Sequence, residues 1–324
     1  MTPLEVLDTI PWIQFNTSYL AVAAKVGVPV QLFLESTGFG LVVASILAIS
    51  SVGFTLQWGV GKFINLAYVE FMVLAAYLDY TLTHTLGLEF WLSAALSVLA
   101  VAVLMVLMNQ YLIQPLGRRG IRLFDLLVVG FGIGAIVEYS IQAIWGTTFF
   151  HIAVAGNTPL NFAGLKLTPS ELVIIGIAVA LMLMLHLLLS RTDLGRAIRA
   201  VSVNPTLAQS CGVRIAFVLN SSWFISGLMC GLAGLVLAFN TAVFNSGSAL
   251  TYFPYILAVA MVGGIGSAYG AMAAAVLIGL VSEWVSIVSP YFGVMAALIA
   301  AALVALFRPE GLFRSPMAGL GGSV

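Results

Sequence analysis

Four carboxylates, Glu70, Asp79, Glu138 and Glu283, stand inside or beside long apolar runs of this 324-residue sequence. A charged group among apolar side chains is costly, so each must face a polar interior, pair, or meet a cationic ligand. Glu70 and Asn65 are five positions apart, which on a regular helix is about 140° and not one face. A helix break near Ala67 would let both reach a single cavity, and hydrocarbon offers the other no partner. Glu138 follows Gly130, Gly132 and Gly134 by one to two turns. A second interruption, Gly263-Gly264-Ile265-Gly266-Ser267, would expose backbone N–H and C=O groups able to hold a charged small molecule. A tight interhelical turn explains the same glycines equally well. The two interruptions fall in opposite halves of the chain, the arrangement of a midplane site in repeat-built carriers.

Other chemistries find no residues. There is no G-x-x-x-x-G-K-[ST] run, so no P-loop holds ATP here, and no H-E-x-x-H or nucleophile with a nearby base. Cys211 and Cys230 form no disulfide framework, and His84, His151 and His186 have no metal spacing. The basic clusters are too small and scattered for nucleic acid.

The positioning elements follow from composition. Hydrophobic residues make up 61% of the chain and charged residues 7%, against about 25% charged in soluble domains. With a mean hydropathy of +1.12, the chain requires lipid as its solvent. A spanning helix needs about 20 apolar residues. The clear spans are 32–56, 90–113, 124–145, 172–190, 215–239, 268–288 and 291–307. Residues 63–83 carry Asn65, Glu70 and Asp79, and residues 251–262 are too short to cross alone. The expected fold is all-α and polytopic, with about eight to nine transmembrane helices including discontinuous half-helices.

Nine of the twelve Lys/Arg residues lie in three clusters: Arg118, Arg119, Arg122; Arg191, Arg196, Arg199, Arg214; and Arg308, Arg314. Basic loops mark the cytoplasmic side. Two spans separate the first pair of clusters, and an even number must separate the second pair, so 251–262 should complete a crossing. Loops 146–171 and 240–250 are then external, and the C-terminus cytoplasmic.

The loop 191–214 reads as a helix, a break at Asn204-Pro205, and a second short helix ended by Gly212. Asn204 suits the cap of the second helix and Pro205 its first position. A topological anchor needs only charge; a capped helix pair reads as a docking surface for a soluble partner.

The stretch from Leu187 to Val213 resembles the cytoplasmic loop of the branched-chain amino acid (LivH-type) permeases of ABC importers. So do Gly53-Phe54-Thr55-Leu56, Ile64-Asn65-Leu66-Ala67-Tyr68-Val69-Glu70, Val262 through Ser267, and Phe307 through Phe313, in order from about residue 40 to 314. The resemblance implies a coupling helix that seats in an ATPase, with Arg191, Gly195, Arg196, Arg199, Ala200, Asn204, Pro205 and Ala208 as its residues. Apart from the resemblance, the buried carboxylates and the two interruptions make Asn65, Tyr68, Glu70, Glu138, Gly263, Gly264, Gly266 and Ser267 the expected solute path. The resemblance further implies a second, LivM-like permease, two cytoplasmic ABC ATPases that bind ATP and Mg, a periplasmic solute-binding protein, and a bacterial inner-membrane location. No cofactor is expected in this chain. The family usually reads Asn-Phe-Ala-His-Gly-Glu, so Tyr68 and Val69 replace a His and a Gly. Amino acids, urea or short amides, and small organic acids remain open as solutes. An ion- or proton-coupled carrier using Glu70 and Glu138 is the rival; an intramembrane enzyme lacks a catalytic set.

Residues 1–30, with Trp12, Phe15 and Tyr19, are read as an interfacial helix without a cleaved signal peptide. Residues 31–314 form the permease domain, and 315–324 a cytoplasmic tail.

Overall fold

The computed structural model describes residues 30–120, 122–151, 160–162, 165–241, 243–308 and 311–313. The expected interfacial helix before Val30 and the tail 315–324 lie outside the described residues, as does Arg314.

The helices are α1 (Val30–Gly61), α2 (Tyr68–His84), α3 (Phe90–Met108), α4 (Gln114–Arg118), α5 (Leu123–Trp145), α6 (Pro169–Arg191), α7 (Asp193–Val203), α8 (Pro205–Ser210), α9 (Ile215–Thr241), α10 (Ser248–Gly263), α11 (Ala268–Ser286) and α12 (Pro290–Phe307). A π-helical turn, Asn109–Ile113, joins α3 to α4. Four short strands are β1 (Phe150–His151), β2 (Leu160–Phe162), β3 (Leu165–Leu167) and β4 (Val243–Phe244); β1 pairs antiparallel with β4, and β2 with β3. The protein is an all-α polytopic membrane protein.

Among the described residues, six helices are long and apolar enough to cross a bilayer, namely those at 32–61, 90–117, 124–145, 169–191, 215–241 and 268–286. α10 and the stretch Tyr291–Phe307 of α12 are shorter and apolar. α10 has 16 residues, which at 1.5 Å each reach about 24 Å, and Pro254 lies inside it. Following the chain, α4, α7, α8 and the junctions α4–α5, α6–α9, α10–α11 gather at one end with Arg119, Arg122, Arg191, Arg196, Arg199, Arg214 and Arg308. The β1–β4 pair and the junctions α2–α3, α9–α10 and α11–α12 gather at the other. α10 therefore completes a crossing, as the basic clusters require.

α1 and α9 form the core. α1 packs on α11, α9, α6 and α10, and α9 packs on α3, α1 and α2. Where lipid is as apolar as leucine, close packing of small residues and interhelical hydrogen bonds draw helices together. The small-residue face expected on 215–239 does this on two sides. A Cβ at Gly227 would meet Ala102, and one at Gly231 would stand 3.0 Å from the Val98 Cα, both on α3. A Cβ at Gly234 would overlap the Met72 carbonyl of α2. Ser226 Oγ donates to the Gly53 carbonyl at 2.7 Å, stitching α9 to α1.

Gly234→Leu should therefore force α9 from α2 and abolish monodisperse detergent-solubilised protein, since overpacking costs about 1–3 kcal/mol or more even where neighbours can yield. Gly132→Ala, whose Cβ would meet nothing within 4 Å, should leave the melting temperature unchanged. Equal stability of the two variants would contradict this packing.

Candidate solute path and coupling helix

α1 ends at Gly61, and Lys62 takes a positive φ of 57°, turning the chain back along α1. The next residues run without regular structure until α2 begins at Tyr68. Asn65 holds this return. Its Nδ2 donates to Gln57 Oε1 at 3.1 Å, and its Oδ1 accepts from the Ala67 N–H at 3.2 Å. That second bond is an Asx turn, which presets the helix start. The Tyr68 hydroxyl donates to the Ser50 carbonyl at 2.8 Å, and the Tyr68 carbonyl accepts from Cys230 Sγ at 3.1 Å. The break expected near Ala67 is present. Asn65 and Tyr68 both use polar atoms to build it.

Glu70 differs. It lies in the first turn of α2, is 5% exposed, and its Oε2 has no hydrogen-bond partner among the described residues. α5 covers this point with a glycine face. A Cβ at Gly130 would stand 3.6 Å from Asn65 Oδ1, and one at Gly134 3.5 Å from Glu70 Cγ. One turn further, Glu138 lies within electrostatic reach of Glu70 and accepts from Gln142 Nε2 at 3.1 Å. The structure thus brings Glu70 and Glu138 together on the α2–α5 seam. Asp79 belongs elsewhere, receiving a 2.6 Å hydrogen bond from Ser93 Oγ, and Glu283 lies within electrostatic reach of Tyr252 and Tyr255.

Gly263, Gly264, Gly266 and Ser267 do not join that seam. They form the tight turn between α10 and α11 at the basic end, with φ of 92° at Gly264 and 89° at Gly266. Ser267 caps α11 by accepting from the Gly270 N–H at 3.1 Å. A Cβ at Gly59 would stand 3.4 Å from the Gly266 carbonyl, and the Leu312 N–H donates to the Val262 carbonyl at 2.8 Å. Gln57 faces Asn65 while Gly59 faces Gly266. Two residues turn a helix by about 200°, so the two interruptions lie on opposite sides of α1.

The coupling loop forms the two helices its residues predict. Thr192 caps α7 by accepting from the Gly195 N–H, Asn204 caps α8 by accepting from the Leu207 N–H, and Pro205 opens α8. Gly212, at φ 87°, follows the end of α8. α7 lies against α6, α9 and α1. A Cβ at Gly195 would strike the backbone of Leu188 and Leu189, and the Arg199 guanidinium donates to the Leu189 carbonyl. Gly195, Arg199 and Ala208 therefore hold the loop to the bundle. Arg191, Arg196, Ala200, Asn204 and Pro205 are exposed. Arg196 pairs with Asp193 in solvent. Sequence reasoning passed over Val203 and Leu207, which are 53% and 62% exposed beside Ala200. It also passed over Gln57, whose side chain accepts from Asn65 Nδ2.

These features define a multi-span membrane protein with a helix pair seated on its basic end. A family model described as the permease component of branched-chain amino acid transport systems matches residues 36–308. The chain belongs to this family. The high-affinity branched-chain amino acid transport system permease protein BraD of Pseudomonas aeruginosa is 25% identical over 302 residues, covering 88% of this chain and 96% of BraD. The probable branched-chain amino acid transport permease protein LivH of Methanocaldococcus jannaschii is 29% identical over 251 residues, 74% of this chain and 77% of that one. LivM of Escherichia coli, a permease of the same kind of system, is 28% identical over 296 residues, 82% of this chain and 67% of LivM.

Arg199→Ala removes the clip between α7 and α6. It should lower stability by about 1–3 kcal/mol, the range for a lost charge-assisted hydrogen bond in a part-buried site. Arg196→Ala breaks only an exposed pair and should change stability by less than about 1 kcal/mol. Thermal unfolding of the two variants in detergent checks the order.

Proposed function

We propose that this chain is a solute-conducting permease subunit of an ATP-driven importer, with α7–α8 as its coupling element and the α2–α5 seam as its solute path. The observation that carries the reading is the double role of α7. One face is wedged by Gly195 and Arg199 against the ends of spanning helices, while Ala200, Val203 and, in α8, Leu207 face outward. A partner that moves α7 must move α6 and α1 with it. As in the relatives' systems, the solute would be a branched-chain amino acid or a related small polar molecule. A second permease, two ATPases that bind ATP and Mg, and a periplasmic binding protein would complete the assembly. The basic end would face the cytoplasm of a bacterial inner membrane, with the C-terminus on that side.

The site chemistry favours a zwitterion. The first-turn N–H groups of a helix have no intrahelical partners and carry partial positive charge. Glu70 and Glu138 stand beside that same helix start and would receive an ammonium group. Urea or an amide would supply donors but leave two carboxylates uncompensated, and an organic acid would add a third negative charge.

Two measurements test this. Cys211 is exposed at the basic end, so an impermeant thiol reagent should label it in inverted vesicles but not in intact cells. A Thr148→Cys variant lacking Cys211 should show the reverse, and the opposite pattern would overturn the orientation.

Uptake of labelled leucine should then be followed with the chain in its complete complex. Glu70→Gln should lower it by about tenfold or more, the effect of one lost charge-assisted hydrogen bond. Ala200→Asp should abolish uptake while the purified permease keeps its stability. Normal uptake by Glu70→Gln removes that carboxylate from the path. Uptake that persists without the ATPases and follows the proton gradient would establish the ion-coupled carrier instead.

A further inference from the structure

Seven residues beyond Glu70 on α2 stands Tyr77, and seven beyond Glu138 on α5 stands Trp145. Seven residues make about 700°, only 20° short of two full turns, and advance about 10.5 Å. Each aromatic ring therefore follows its carboxylate on the same helix face, toward the end opposite α7–α8. There the two rings meet, with centroids 5.4 Å apart. Phe150 of β1 and Phe244 of β4 close over them, at 5.3 and 5.1 Å from the Tyr77 ring, and Tyr80 meets Phe150 at 4.9 Å. Tyr77 is 0% exposed, and its hydroxyl lies against the Ser246 backbone without a regular hydrogen bond. Trp145 Nε1 donates to Thr81 Oγ1 at 2.7 Å, tying α5 to α2 at this level.

We propose that Tyr77, Trp145, Phe150 and Phe244 form the outer gate of the Glu70–Glu138 path, latched by the β1–β4 bridge. The proposal rests on reading those carboxylates as path residues. The construction suits a gate better than a fixed cap. Phe150 and Phe244 reach the cluster from two separate connections, one after α5 and one after α9. The described ladder between them is two residues deep, pairing Phe150 with Phe244 and His151 with Val243. Two-stranded pairing of this kind is marginal by itself in water. The closure is thus held by ring packing and the Trp145–Thr81 bond across the seam, with no buried ion pair or covalent tie among the described residues, and one rigid shift of α5 away from α2 would part Trp145 from Tyr77 and open it. The solute would pass the rings before reaching the carboxylates, so an aliphatic side chain would slide against apolar faces on entry.

A reversible lock tests the gate in the complete complex. His151→Cys with Val243→Cys, in a Cys211→Ser background that keeps the buried Cys230, places two thiols at directly opposed positions with all four rings intact. Under reducing conditions the double variant should transport. Oxidation should abolish uptake to the level of vesicles lacking the complex, and reductant should restore it, while each single-cysteine variant ignores the oxidant. Full uptake with the cross-link verified on a gel would overturn the gate. The path reading fails separately, by normal uptake in Glu70→Gln, so the two results can be told apart.

Discussion

Hydrocarbon cannot solvate a peptide group, so a chain that leaves the helix inside a membrane must find a protein partner for its freed N–H and C=O groups. The return from Lys62 to Ala67 meets that constraint, and much of the arrangement depends on how. Gln57 anchors Asn65, Asn65 caps the Ala67 amide, and the Tyr68 hydroxyl and carbonyl are taken by Ser50 and Cys230. Those bonds set where α2 begins. They place Glu70 at a helix start, turn it toward α5, and seven residues later deliver Tyr77 to the aromatic cluster. Gly130 and Gly134 are the answering feature on α5: a Cβ at Gly134 would press to 3.3 Å on the Ala67 Cα, and one at Gly130 would lie in contact with the returning segment.

α1 separates the two interruptions. One side receives the Asn65 return through Gln57, and the other receives the α10–α11 turn through Gly59. α7 presses on the same helix and shares a cleft of about 100 Å³ with Gly266, Ser267 and Tyr269. Motion imposed on α7 therefore meets α1, α6 and the glycine turn together. Tightly packed helices shift as rigid pieces and do not deform continuously. This gives a physical route from the basic end to the α2–α5 seam without any single wire of residues.

The energetic contrast between the two ends is instructive. The coupling loop is secured by capping, a guanidinium clip and a glycine contact, all of which survive rotation of α6 and α7 as one body. The opposite end is closed by aromatic packing and a very short ladder. Aromatic pairs are worth about 0.5–1.5 kcal/mol each beyond their burial.

What the sequence by itself determined was class, span positions and the helix pair at 193–210. Apolar run length is set by bilayer thickness, basic residues avoid the far side, and Asn204, Pro205 and Gly212 encode caps that act within a few residues. Even the short segment 251–262 could be assigned a crossing from charge parity alone. The break beside Asn65 was also legible, because Asn65 and Glu70 could not share a face of one regular helix. Tertiary structure decided which polar residues remain free. Asn65 and Tyr68 are consumed by long-range partners at Gln57, Ser50 and Cys230, and Arg199 turns inward to the Leu189 carbonyl instead of outward toward a partner. It also separated Gly263–Ser267 from Glu70, since which side of α1 each turn occupies depends on helix rotation, and no local residue reports that. The pairing of Glu70 with Glu138, and of Phe150 with Phe244, joins segments dozens of residues apart; such contacts are settled by packing of whole helices, for which a single sequence carries no periodicity to read.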